Sequence, residues 1–286
     1  MLAFAIGCAL VGILGELALR WLLFGEGQAA RELGKPLRVP SYWARSPDED
    51  DYWKMLRLFS PGDEAGPHGP DPTMGWIREF VPGTFEHPDE GAALRRRPVL
   101  LFGDSFSQCT TSADDCWQGL LERSDLATDV ALLNYGVGGY GLDQMTLLCE
   151  RVIPRFASRD PIVVLAVLVD DDLERCSLSF RGHPKPRFRL EAGALALQTP
   201  GDGGTTAWLE RNPPSIPSYV IRLLENVSGP RDGFEPGWTD ESTLAERKEL
   251  QRALLDRVRN VPYERFQPSN RQDGALRAPR DAQQGS

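Results

Sequence analysis

A chain of 286 residues, 41% hydrophobic and 26% charged, is long enough for one sizeable domain with additions, and its composition excludes a disordered chain. The formal net charge of −9, with no concentrated basic face, argues against a nucleic-acid partner, because phosphate binding needs clustered Lys and Arg. The five cysteines form no Cys-x-x-Cys and no Cys/His array, which argues against a structural zinc site.

The first segment, Leu2 to Phe24, is apolar apart from Glu16 and Arg20. As a helix rising ~1.5 Å per residue it reaches about 34 Å, enough to cross a bilayer. Glu16 and Arg20 stand at i and i+4, so they pair on one face, and Arg20 is near enough to the end to snorkel. Residues 1–24 are therefore expected to be a transmembrane anchor or a signal segment. Cleavage after Ala29 is an alternative, since Gly27 and Ala29 are small, but no basic residues precede the apolar run. Arg31 and Lys35 follow it, and the positive-inside rule taken literally puts the domain in the cytoplasm.

Residues 25–97 change to Pro, Gly, Asp and Trp, with SYWARSPDEDDYWKMLRLF followed by SPGDEAGPHGPDPTMGW. Such a stretch supports short helices and turns, with Tyr52, Trp53, Leu56 and Leu58 packing on a larger body. Carbohydrate binding by its aromatic residues is the rival to that packing.

Residues 98–260 alternate. Pro98–Gly103, Asp129–Tyr135 and Ile162–Val169 read as strands, the last apolar throughout; Asp114–Arg123 and Leu142–Phe156 read as helices between them. Continuous apolar strands separated by amphipathic helices indicate a parallel sheet covered on both faces, a three-layer α/β/α, doubly wound architecture with its sites at the carboxyl ends of the strands. RFRLEAGALALQ, residues 187–198, reads as a hairpin insertion turning at Ala192 and Gly193, and helices are expected over Pro217–Asn226 and Thr243–Val258. No further apolar strand follows, so the sheet is expected to be incomplete at the C-terminus with an exposed edge. Residues 261–286 are polar and aperiodic and are expected to be a disordered tail.

Three segments fall at strand ends: GDSFS (103–107), NYGVGGYGLDQ (134–144) and VDDDLER (169–175). A nucleophilic serine needs exposure, a base and donors for the oxyanion, and the helix after Ser105 aims backbone N–H groups at that spot. Taken alone, Ser105 or Ser107 is equally a helix cap. Gly136, Gly138 and Gly141 form a G-x-G-x-x-G, as in a dinucleotide site, although no acidic residue ends a strand about 20 positions later. The bland reading of those glycines is a tight turn. Asp104, Asp143, Asp170, Asp171 and Asp172 could gather around Mg²⁺, against the commoner outcome of solvated loop carboxylates. Cys109 and Cys116, seven apart, form a disulfide if the domain is exported and are otherwise buried free thiols.

In this order the three segments resemble the SGNH (GDSL-type) hydrolase superfamily, and specifically its membrane-anchored exported branch, over roughly Pro98 to Phe188. The resemblance implies a flavodoxin-like parallel sheet and an extracytoplasmic domain, periplasmic or at the cell surface. It implies no cofactor and no metal. The substrate would be an acyl ester of a glycan, a lipid or a small molecule, and the membrane would be met through the N-terminal helix. It also makes Ser105 the nucleophile, with its N–H and that of Gly139 as oxyanion donors. The family's third donor is an Asn side chain; here that position is Asp170, which donates only when protonated. The family's closing Asp-x-x-His block, the source of the general base, has no counterpart, for the histidines are His68, His87 and His183. The expected function is therefore ester hydrolysis or acyl transfer by a truncated copy, weak or inactive as it stands. The alternative is a non-catalytic, membrane-tethered scaffold or ligand-binding protein. His183 is either a substitute base or a surface histidine.

Overall fold

The computed structural model describes residues 2–44, 49–60, 69–84, 86–88, 95–201, 203–227 and 244–261; within them the side chains of residues 2, 69, 169–171, 226, 227, 244 and 245 are left out. His68 and the expected tail beyond Val261 lie outside these residues.

The chain begins with the helix α1 (Leu2–Phe24), followed by α2 (Gln28–Gly34), α3 (Asp50–Phe59) and a small hairpin of β1 (Gly69–Asp71) and β2 (Gly75–Ile77). The alternating region supplies β3 (Arg97–Gly103), α4 (Ser105–Gln108), α5 (Trp117–Glu122), β4 (Val130–Gly136), α6 (Leu142–Val152), β5 (Ile162–Leu165) and α7 (Val169–Glu174). Two hairpins follow, β6 (Ser179–Phe180) with β7 (His183–Pro184) and β8 (Arg187–Glu191) with β9 (Ala194–Gln198). The helices α8 (Gly204–Arg211), α9 (Tyr219–Val227) and α10 (Leu244–Arg259) close the described chain.

The main sheet is parallel, in the order β4–β3–β5. β3 pairs with β4 residue for residue up to Gly103 opposite Gly136, so these two strands end level with each other. The fold is thus mixed α/β, a parallel three-stranded sheet with small antiparallel hairpins.

Three elements differ from the sequence pattern, each for a local reason. β5 stops at Leu165 although the apolar run continues to Val169. Ala166 N–H still donates to the Phe102 carbonyl at 2.9 Å, but β3 then turns away at Gly103, leaving the run without a ladder partner. Nor is β5 covered on both faces, since Ile162 and Val164 on this outer strand are 36% and 39% exposed. α6 ends at Val152 rather than Phe156: Pro154 has no N–H to continue the ladder, and the chain tightens into 3₁₀ turns through Arg159. The helix expected over 114–123 is split into a 3₁₀ turn at Ala113–Asp115 and α5, with Cys116 extended between them and joined to Cys109 by a disulfide.

Among the described residues apolar burial forms two clusters. The larger joins Leu100, Phe102, Leu133 and Tyr135 of the sheet to Met145, Leu148 and Val152 of α6, Leu254 of α10, and Met74 and Trp76 of the extension. The smaller is built from Leu23, Trp43, Met55, Ile216 and Tyr219, with Leu19 and Phe24 against it. The extension therefore packs by its aromatic and sulfur side chains, with Trp43 and Met55 rather than Leu56 and Leu58 as the buried anchors.

One ion pair is wholly enclosed. Lys185 and Asp143 are both fully buried, with Nζ at 3.0 and 2.8 Å from the two carboxylate oxygens. The same ammonium donates to the carbonyls of Arg175 (2.8 Å), Ser177 (3.2 Å) and Pro186 (3.3 Å). Burial pushes the Asp143 carboxyl up, and Lys185 pulls it back down. Removing one partner of such a pair typically costs about 3–5 kcal/mol, because the other charge is left enclosed. Lys185→Met should destabilise the chain by about that much in urea unfolding at pH 7. The loss should shrink toward pH 4, since the orphaned Asp143 then takes up a proton in the folded state. A double variant, Lys185→Met with Asp143→Leu, should recover most of it.

Candidate active site

The site is assembled from the exits of the three parallel strands. At the end of β3 the backbone of Asp104 becomes extended (φ −93°, ψ −150°), and its Oδ1 accepts the Phe106 N–H at 2.9 Å. Asp104, not Ser105 or Ser107, is therefore the cap of α4. Ser105 is the first residue of that turn and is half-buried, while Ser107 is buried beneath it. Among the described residues, neither the Ser105 hydroxyl nor its N–H makes a hydrogen bond.

The exit of β4 is stitched to that of β3. Val137 N–H donates to the Gly103 carbonyl at 3.0 Å, and Asn134 Nδ2 donates to the Ser107 carbonyl at 2.7 Å. Gly138 N–H donates to Gln108 Oε1 at 2.7 Å, and Trp76 Nε1 donates to the Gly138 carbonyl at 3.1 Å. Gly136 permits the close approach, because a Cβ there would lie 2.3 Å from the Gln108 nitrogen. Gly139 has a left-handed backbone (φ +79°), and a Cβ on it would come within 2.8 Å of the Phe180 ring. Its N–H donates to no described residue.

At the β5 exit, Asp172 Oδ2 accepts the Leu168 N–H at 2.7 Å. Arg175 Nη1 then bridges Asp172 Oδ1 (3.2 Å) and Asp104 Oδ2 (3.1 Å), both carboxylates being buried, and its guanidinium lies over the Phe180 ring at 5.3 Å from the centroid. The first and third segments are thereby fastened by a charge-assisted bridge. Asp170 lies in α7, and its side chain, like that of Asp171, is outside the described set.

These contacts decide between several expectations. The glycines of the G-x-G-x-x-G are filled by protein rather than open to a pyrophosphate: Gly136 abuts α4, the Gly138 amide is engaged by Gln108, and a Cβ on Gly141 would meet the Arg175 carbonyl at 2.9 Å. The three described carboxylates do not gather as one cluster, for Asp143 faces Lys185 while Asp104 and Asp172 face Arg175. Among the described residues no group of three His, Cys, Asp or Glu could hold a metal ion. His183 is not a surface histidine: it is buried on β7 with its ring centroid 6.1 Å from that of Trp76. His87 lies below β4, where the Asn134 carbonyl accepts from Nε2 at 2.8 Å, so that nitrogen carries the proton. Burial lowers its pKa from 6.5 to about 4, with the charges of Arg78 and Arg155 adding to the effect.

Sequence reasoning did not find Arg175, Gln108, Trp76 or Lys185. The spacing of Asp172 and Arg175 at i and i+3 is a legible signal for a helix pair, but the reach of Arg175 to Asp104 is not. No protein-family model matches the chain, and no curated protein and no solved structure is found to be similar to it.

Two outcomes follow from this geometry. Between about pH 6.5 and pH 4 the unfolded chain takes a proton on residue 87 that the folded chain refuses, so stability should fall as the pH drops through that window, by up to about 3 kcal/mol. His87→Gln, whose amide can still donate to Asn134, should flatten this slope in urea midpoints measured against pH. Gly139→Ala should cost about 1–2 kcal/mol for the left-handed backbone alone, read as a lowered thermal midpoint, and more while the Phe180 ring stays in place.

Proposed function

We propose that the chain is a membrane-tethered acyl-ester enzyme of the SGNH hydrolase type, with helices on both faces of its sheet and Ser105 as its nucleophile. The observation that carries the reading is the position of Ser105. It is half-exposed at the exit of the central strand, with its own N–H and that of Gly139, on the neighbouring exit, both unengaged by described residues. The strand order β4–β3–β5 agrees with a doubly wound sheet whose first strand is central.

In the proposed reaction the Ser105 oxygen attacks the ester carbonyl and its proton passes to solvent. The two N–H groups hold the oxyanion that forms, and the alcohol leaves with a proton from water. A second water then releases the carboxylic acid and restores the serine. Turnover is weak in this reading, because no described side chain accepts the Ser105 proton, and loss of a triad base typically lowers kcat by about 10⁴–10⁶. That same observation supports a second reading, a tethered module that binds an acylated ligand without cleaving it.

The apolar α1 supports the tether, being long and apolar enough to cross a membrane and exposed along most of its length. The Cys109–Cys116 disulfide supports an extracytoplasmic domain, since such bonds persist in oxidising compartments.

A fluorophosphonate probe, which phosphonylates activated serines, separates the readings. The enzyme reading expects slow labelling of the full chain that Ser105→Ala abolishes. No labelling of the wild type, or labelling that survives Ser105→Ala, would overturn it.

A further inference from the structure

The candidate membrane span of α1 runs from Ala3 to Phe24, and the rest of the chain packs against its second half. Residues 3–14 are exposed apart from a half-covered Gly12, whereas from Gly15 onward one side of the helix is occupied by the rest of the chain. A hydrocarbon core is ~30 Å thick and takes about 20 helical residues, which the span Ala3–Phe24 supplies with Gly15 to Trp21 included. An α1 that crosses the membrane along this span carries residues 15 to about 21 into the apolar layer or its boundary, together with whatever is packed beside them.

What is packed beside them is α9. Val220 Cγ2 lies 3.3 Å from where a Gly15 Cβ would be, and Leu19 and Leu23 share a cluster with Tyr219 and Leu223. Polar contacts seal the join. Glu16 Oε2 accepts the Ser218 hydroxyl (2.9 Å) and the Val220 N–H (3.1 Å), Arg20 Nε donates to Glu16 Oε1 (2.7 Å), and Arg20 Nη2 donates to the Pro217 carbonyl (3.2 Å). The one carboxylate of α1 is thus met by the first turn of α9 and by an arginine, the partners that a charge at membrane depth requires.

Both helices carry exposed apolar side chains. Ile221 and Leu224, spaced i and i+3 on one side of α9, are 58% and 64% exposed, and Leu17 (59%) and Trp21 (50%) are exposed on α1, the helix against which α9 packs. We infer that α9 is an interfacial membrane helix, with Ile221 and Leu224 set in the acyl region of the bilayer and its opposite face holding α1 to the domain. The occupant of this face is lipid, because the helix it lies against is itself lipid-facing at that level. The inference rests on the tether reading above.

Spin-label accessibility tests it. The full chain carrying Cys8→Ser keeps its disulfide and its buried Cys149 and Cys176, so single labels can be placed at Leu10→Cys, Ile221→Cys, Leu224→Cys and Glu210→Cys. The labelled proteins are reconstituted in phosphatidylcholine vesicles and relaxed by oxygen, which partitions into lipid, or by a water-soluble nickel chelate. The inference expects the oxygen-to-nickel ratio at 221 and 224 to match that at 10 and to exceed that at 210. Water-like values at either 221 or 224 with a lipid-like value at 10 would overturn the inference alone. A water-like value at 10 would overturn the tether and the inference with it. Labels at 221 and 224 shielded from both relaxants would mean that protein, such as a second copy, covers this face, and would overturn the lipid assignment.

Discussion

The buried ammonium of Lys185 is the contact on which the arrangement of the strand exits depends. An enclosed cation must be matched by charge and hydrogen bonds, and here one carboxylate and three backbone carbonyls converge on it. Those partners come from separate parts of the chain. Asp143 stands at the start of α6, two residues beyond the glycine loop, while Arg175 and Ser177 belong to the segment leaving α7. Fixing both on one nitrogen sets the distance between the glycine loop and the segment that brings Phe180 against Gly139.

Around this point the described aspartates Asp104, Asp143 and Asp172 are each paired with a cation. Arg175 takes Asp104 and Asp172, and Lys185 takes Asp143. Asp104, Asp143 and Asp172 are thus engaged in ion pairs, whereas the Ser105 hydroxyl and the N–H groups of Ser105 and Gly139 bond to no described residue. The disulfide between Cys109 and Cys116 closes the loop that follows α4, so the turn bearing Ser105 is held on one side by the sheet and on the other by a covalent link.

A second centre of packing lies away from the sheet. Leu19, Leu23 and Phe24 of α1 meet Trp43, Met55, Ile216 and Tyr219, with the rings of Trp43 and Tyr219 edge to face at 5.5 Å. The extension and α9 are therefore organised by the end of the apolar helix. The end of the apolar helix is thus packed into a core, which ties the position of the domain to that of the helix.

Much of this was legible in the residues. Alternating apolar runs and amphipathic stretches marked β3, β4, α6 and the β8–β9 hairpin, because the repeat of a strand or helix is a local property of the chain. The helix was expected to run to Phe156, although Pro154 already carried the signal that ends α6 at Val152; the order of GDSFS, NYGVGGYGLDQ and VDDDLER placed Ser105 and Gly139 at strand ends. The length of β5 was not legible, since apolar residues beyond Leu165 form a strand only if a neighbour still runs beside them. Nor was the capping role of Asp104 over the two serines, which turned on one backbone angle. By itself the sequence determined the periodic elements, the apolar helix and the serine at the turn. Only the tertiary structure decided that Arg175 and Lys185 take the acidic residues, that His183 is buried and that α9 lies on Glu16, because each depends on groups far apart in the chain whose pairing is set by burial and charge rather than by spacing.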